Sequence, residues 1–323
     1  MALEMSCAFN TSLESHQHAA IAEQLGYRRA WFYDSPALYA DVWTQLCRAA
    51  ERTERIGLGP GVMVPSLRHP MANAAGVATL VSLAGADRVA VAVGSGFTGR
   101  LTLGQRPLPW RQVTEYVRVL KALLRGEDAE WEGAVIRMMQ YPGFGPVRPI
   151  DVPFLFGVQG PKGIAAAKEL ADGVFTVGRP VPGFDWSALL TFGTVLDDGE
   201  DPGSARSVAA AGHAAGVLFH FALEFNQLDR LPNGKQWAAA YDEVPARERH
   251  LALHDGHMAL VNERDRPFVT GDTLVGGGLA MDRAGWRAKL AELEADGATE
   301  IAYQPAGPDV PRELEAFASV VRG

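Results

Sequence analysis

Cysteine, positive charge and long apolar runs are all scarce in this chain of 323 residues, and each scarcity excludes something. The two cysteines, Cys7 and Cys47, sit in a strand-like and a helix-like segment with no ligand spacing. That excludes a disulfide framework and fits free thiols in a reducing compartment. Acidic residues outnumber basic ones, 38 to 30, for a net charge of −8. No nucleic-acid or anionic-membrane partner is expected on that balance. No apolar run approaches the roughly 20 residues that cross a bilayer, and no cationic stretch with an apolar segment behind it stands at Met1. A soluble, cytoplasmic protein is expected. What the chain does have is apolar content, 47%, together with 35 glycines. That suffices for a large core.

Strand-like and helix-like segments alternate. Apolar runs at Met5 to Asn10, Ala30 to Tyr33, Ile56 to Val62 and Arg88 to Val93 each give way to a helical pattern. Ser12 is a candidate cap for the first helix and Gly26 its left-handed terminus. Val113, Val117, Leu120 and Leu124 form one stripe that Gly126 stops. Trp131 to Met138 reads as a small hairpin. Further strands are expected at Pro153 to Val158, Val174 to Val177, Leu189 to Leu196 and Glu300 to Tyr303. Helices follow from Ile164, Asp282 and Pro311. From about 202 to 270 the beat is lost among short helical stretches, prolines and histidines. An α/β fold of repeated β-then-α units with one irregular insertion predicts a (β/α)8 TIM barrel, in a single domain over residues 1–323.

The most informative stretch runs from Arg55 to Gly96, with an echo at Phe156-Gly157-Val158-Gln159-Gly160-Pro161. Twice an apolar run ends in glycine and turns into a helix, presenting bare backbone at the carboxyl ends of parallel strands. Gly94-Ser95-Gly96 alone is equally a plain β–α turn. It is not the dinucleotide fingerprint, which needs a third glycine and an acidic residue about 20 positions on. Two such loops together point to a cofactor. Asp34 ends the second strand, where a barrel keeps its chemistry, or else caps the helix after Pro36. His69 stands beside Pro70 at a helix start. His250, His254 and His257, at i, i+4 and i+7, would share a face on a continuous helix. Asp255-Gly256 breaks that helix and no carboxylate-rich motif accompanies it, so no metal site is expected. His220, among Leu218, Phe219 and Phe221, reads as a core histidine.

The run Ala30-Trp31-Phe32 to Asp34, with Gly57-Leu58-Gly59-Pro60-Gly61-Val62, Arg68-His69-Pro70 and the two glycine loops, resembles the bacterial-luciferase-like superfamily. Within it the chain is similar to the methylenetetrahydromethanopterin reductases and related deazaflavin-dependent oxidoreductases. The resemblance implies a barrel with an insertion near the seventh strand and a flavin or deazaflavin ring at its carboxyl end. Gly61-Val62 would form a bulge with a non-prolyl cis peptide behind the ring. Gly94, Ser95, Gly96 and Phe97, with Gly157, Val158, Gln159, Gly160 and Pro161, would bring backbone N–H groups to the phosphate and polyol chain. Asp34 would face the polar edge of the ring. Phe97 departs from the pattern, because the reductases commonly carry an acidic residue there, and this leaves the substrate open.

His254 and His257 fall in the insertion over the barrel mouth. With Asp34 and His69 they are the candidates for the proton that accompanies hydride transfer. The implied function is hydride transfer between coenzyme F420 and a small organic substrate, in an enzyme expected to be a homodimer. One alternative is an FMN-dependent monooxygenase fed by a separate reductase. Another, supported by Phe97 alone, is a non-catalytic flavin-binding barrel.

Overall fold

A computed structural model describes residues 3–322 of the chain. Its strands are β1 (Glu4–Phe9), β2 (Arg29–Phe32), β3 (Gly57–Pro60), β4 (Val91–Gly94), β5 (Ala129–Trp131), β6 (Ala134–Ile136), β7 (Phe154–Gly157), β8 (Gly173–Val177), β9 (Ser187–Phe192), β10 (Thr194–Val195), β11 (Ala280–Met281) and β12 (Glu300–Gln304). The helices are α1 (Ser15–Gln24), α2 (Val42–Ala50), α3 (Pro70–Ala84), α4 (Phe97–Leu101), α5 (Trp110–Arg125), α6 (Pro161–Leu170), α7 (Ala205–Glu224), α8 (Gly234–Ala239), α9 (Arg249–Leu253), α10 (Gly271–Gly276), α11 (Arg283–Ala295) and α12 (Val310–Arg322).

Eight of the strands form one sheet in the order β3-β2-β1-β12-β9-β8-β7-β4. Every pair in it is parallel. The two end strands meet through bridges from Leu58 to Val89 and from Met63 to Val93, so the sheet curls into a barrel. Where β3 and β4 approach, a Cβ on Gly59 would lie 1.8 Å from the Ala90 carbonyl oxygen. Only glycine fits that crossing. Between the two bridges the chain bulges, the Gly61–Val62 peptide is cis, and the Gly61 N–H donates to the Phe32 carbonyl at 2.8 Å.

Strand residues alternate between two cores, as pleating dictates. Cys7, Phe9, Val91, Val93, Phe154 and Phe156 pack outward under the helices. Ala8, Ala92, Leu155, Ala188 and Ala302 point into the lumen. The small lumen residues leave room for large rings, among them the fully buried Trp31 and Phe175 edge-on to it. The Trp31 indole N–H donates to Glu300 at 2.8 Å, and that of Trp186 to the same carboxylate at 2.7 Å. The Arg29 guanidinium lies 5.3 Å and 5.1 Å from the two ring centroids. Arg29 and Glu300 both begin their strands, so this polar cluster seals the amino end of the barrel. The carboxyl end remains for chemistry.

Most expected elements are present. The α5 stripe is buried as expected, and Gly126 ends that helix at φ 82°. The first helix differs in detail: it starts at Ser15 with Glu14 at its N-cap, and the Ser12 hydroxyl accepts from the Glu14 N–H instead. The stretch after β9 is more regular than the sequence suggests. It opens with α7, of 20 residues, whose cap Ser204 accepts from the Ser207 N–H at 3.1 Å. Alanines and glycines make up much of α7, and Ala211, Ala214 and Ala215 are buried against Val261, Val269 and Leu274. No helix among the described residues is long and apolar enough to cross a membrane.

Candidate active site

A cavity of about 330 Å³ opens at the carboxyl ends of the strands. Its floor comes from the ends of β3, β4 and β7 and the residues that follow, including Gly61, Val62, Gly94 and Gly157. Its walls include Leu190 and Phe192 of β9, and the insertion contributes Phe221, His257 and Met258. Apolar groups dominate, which suits a flat aromatic ligand.

Val62 explains the paired glycines. Gly94 and Gly157 are register partners on neighbouring strands. A Cβ on Gly94 would sit 2.7 Å from Val62 Cγ2, and one on Gly157 would sit 3.0 Å from Cγ1. The Val62 side chain is thus wedged into a slot that only two glycines leave open, with its remaining face toward the cavity. Beyond the slot, Ser95, Gly96 and Phe97 continue along one wall and Val158, Gln159 and Gly160 along the other. Gly96 turns left-handed at φ 84° to start α4, and Gly160 caps α6. Pro161 opens α6 and is not on the cavity wall.

Asp34 reaches the cavity, but its carboxylate is committed. Arg68 Nη1 approaches Oδ1 at 2.6 Å, and the Val64 N–H donates to Oδ2 at 3.4 Å. Burial pushes the Asp34 carboxyl above its usual range, and the Arg68 guanidinium opposes that. Asp34 therefore does not cap a helix after Pro36. Arg68 is itself fixed by Asp41 at 2.9 Å and by a relay behind its own backbone. In that relay Trp43 donates to Asn73 at 2.8 Å, Asn73 to the Tyr116 hydroxyl at 2.6 Å, and Tyr116 to the Arg68 carbonyl at 2.9 Å. His69, one residue on, points away. It is exposed, it caps α3 by accepting from the Met71 N–H at 3.1 Å, and it packs edge-on against Trp131. Neither Arg68 nor His69 lines the cavity; Arg68 acts on it only through Asp34.

Phe97, where an acid was expected from the resemblance, stacks on Phe221 at 4.8 Å and on Phe225 at 6.1 Å. Three nearly parallel rings thereby join the loop after β4 to α7. The histidines are also rearranged. Helix α9 ends at Leu253, so His250, His254 and His257 do not share one helical face. His220 from α7 takes the place of His250, with its Nδ1 3.2 Å from His257 Nδ1. His257 lines the cavity and faces Thr98 Oγ1 through Nε2 at 3.3 Å. His254 stands behind it, off the wall. Burial lowers the His254 pKa to about 4 and that of His257 well below the usual imidazole value, so both rings are neutral at neutral pH.

Named relatives of this chain are enzymes. The 5,10-methylenetetrahydromethanopterin reductase of Archaeoglobus fulgidus is 23% identical over 326 residues, covering 94% of this chain and 92% of its own. That of Methanopyrus kandleri is 30% identical over 173 residues, 48% of each chain, so this match spans about half its length. An F420-dependent secondary alcohol dehydrogenase, solved with an F420-acetone adduct, superposes with a TM-score of 0.68 at 19% identity over 100% of both chains. That likeness shows the fold, a TIM barrel. The luciferase-like monooxygenase family profile matches residues 13–188, more than half of the sequence. This chain is therefore an enzyme and belongs to the luciferase-like monooxygenase family.

Proposed function

We propose that the enzyme transfers hydride between coenzyme F420 and a small organic substrate. The observation that carries this reading is the apolar slot whose floor is Val62, held between Gly94 and Gly157 and flanked by two glycine loops. A tricyclic ring is apolar on its faces and polar at one edge, and the site offers both environments. When bound, the deazaflavin supplies a ring carbon that gives or accepts hydride. Val62 would support one ring face. Backbone N–H groups at 94–97 and 157–160, ahead of the α6 N-terminus, would meet the phosphate and polyol chain. Asp34, oriented by Arg68, would set the charge near the polar edge.

On the substrate side, His257 and Thr98 form the hydrogen-bonding pair that would hold a proton, as N–H or O–H, toward the substrate's polar group. His69 and His254 have no such place, since neither lines the cavity. Phe97, Phe221 and Phe225 would exclude water from the mouth. Names borne by the relatives, a methylenetetrahydromethanopterin reductase and an F420-dependent dehydrogenase, support the same choice of cofactor. The family description, a monooxygenase, favours FMN as the second reading, with reduced flavin drawn from a separate reductase.

Titration of the purified protein with F420 and FMN side by side tests the proposal. F420 should bind at least tenfold more tightly, a gap of about 1.4 kcal/mol. Equal or reversed affinities, or oxygen consumption with reduced FMN, would overturn it in favour of the second reading.

A further inference from the structure

We propose that His220, His254 and His257 form a binding site for a zinc-class divalent transition metal, tying the segment after α9 to α7 beside the cavity. The three are buried, and one ligand nitrogen from each lies within 4.8 Å of the others. Two of the rings have their second nitrogen on a hydrogen-bond partner: His254 Nδ1 meets the His250 carbonyl at 2.7 Å and His257 Nε2 meets Thr98 Oγ1 at 3.3 Å. His220 Nε2 is turned toward Asp265 Oδ2 at 3.5 Å and makes no hydrogen bond. That leaves Nδ1 of His220, Nδ1 of His257 and Nε2 of His254 as the ligand atoms, of which the first two face each other at 3.2 Å. Metal-bound histidines are oriented in this way, with the second nitrogen on a carboxylate, carbonyl or hydroxyl.

The spacing suits tetrahedral nitrogen ligation. With zinc–nitrogen bonds of about 2.0–2.1 Å, ligand nitrogens stand about 3.4 Å apart. His220 and His257 are at 3.2 Å already; the cluster spans up to 4.8 Å, so the His254 ring would have to move inward to complete the set. Three nitrogens leave one position for water.

The support behind His220 is elaborate. Asp265 accepts from Trp237 Nε1 and the Tyr241 hydroxyl, both at 2.7 Å, and from Asn262 Nδ2 at 3.1 Å. It reaches His220 because Gly216, one turn earlier in α7, has no side chain: a Cβ there would lie 2.8 Å from Oδ2. No proton must leave on binding. Without metal, His257 donates from Nδ1 to His220; with metal, the proton sits on Nε2 and is donated to Thr98.

The test uses the full chain, stripped with a chelator and reconstituted with Zn²⁺ or Co²⁺. The expected result is one metal per chain by elemental analysis and tetrahedral d–d absorption from the Co²⁺ form. His220→Ala and His254→Ala should abolish both signals, His69→Ala should keep them, and Asp265→Asn should weaken affinity about 10–100-fold. Wild-type protein that takes up no stoichiometric metal overturns the proposal whatever the variants do. So does a His254→Ala protein that still binds one metal. The readout is metal content, so it stands or falls separately from the choice of F420.

Discussion

Substituting Gly94→Ala perturbs the floor of the cavity at its most constrained point. The new Cβ would stand 2.7 Å from Val62 Cγ2, where ordinary carbon contacts begin near 3.5 Å. Val62 has little freedom to rotate away, because a β-branched side chain is stiff about χ1 and its other methyl faces Gly157, where even a Cβ would come within 3.0 Å of Cγ1. The valine must move by roughly 0.8 Å into the space assigned to the ring, at an overpacking cost of about 1–3 kcal/mol. If that cost falls on the bound state, cofactor affinity drops about 5- to 150-fold. Gly157→Ala, with the looser contact, should do less. Fluorescence titration of F420 against wild type, Gly94→Ala, Gly157→Ala and the double variant Gly94→Ala/Val62→Ala measures this, with thermal melts alongside. Trimming Val62 should restore most of the affinity lost in Gly94→Ala, a coupling that a double-mutant cycle isolates. Unchanged binding in Gly94→Ala, or no rescue by Val62→Ala, would refute the wedge.

Three further outcomes are expected. Arg68→Ala strands a buried Asp34 carboxylate and should cost about 3–5 kcal/mol in urea denaturation, with Arg68→Lys recovering part; an unchanged midpoint would show that the pair is not needed. Glu300→Gln keeps one acceptor but turns an amide N–H toward one of the two indoles, so it should cost about 1–3 kcal/mol, and a neutral effect would discount the sealed barrel floor. Hydrogen bonds from Arg206 hold the Glu200 pKa down to about 2, from an ordinary 4.5. A lowered folded-state pKa stabilises above the unfolded value, so this contribution is complete above about pH 4.5 and lost as pH falls toward about 2. Glu200→Gln should flatten the acid slope of the melting temperature in that window, and parallel slopes for variant and wild type would contradict it.

The parts of the site that were legible in the sequence are the ones fixed by backbone. Glycines at 59, 61, 94 and 157 mark positions where a Cβ would meet the Ala90 carbonyl, the Trp31 side chain or the Val62 methyls, and glycine is visible in the sequence itself. Asp34 was visible because it ends a strand. Arg68 was not, because Arg68 and His69 precede the same helix and one step of backbone sends the first to Asp34 and the second to solvent. The histidine cluster was hidden for a different reason. His220 precedes His254 by a long stretch of chain, and only the packing of α7 against the segment after α9 unites them. Helix α7 was itself obscured: small apolar residues on several faces leave no polar stripe to mark a 3.6-residue period. Phe97 could be seen to differ from an expected acid, but its stacking partners, Phe221 and Phe225, lie in that same obscured helix.

The most direct measurement is a crystal structure of the enzyme with F420 bound. One ring face is expected in van der Waals contact with Val62, within about 4 Å, with the phosphate and polyol chain along residues 94–97 and 157–160 and the open ring face turned toward His257 and Thr98. A ring bound away from Val62, or one whose covered face lies against the insertion, would contradict it.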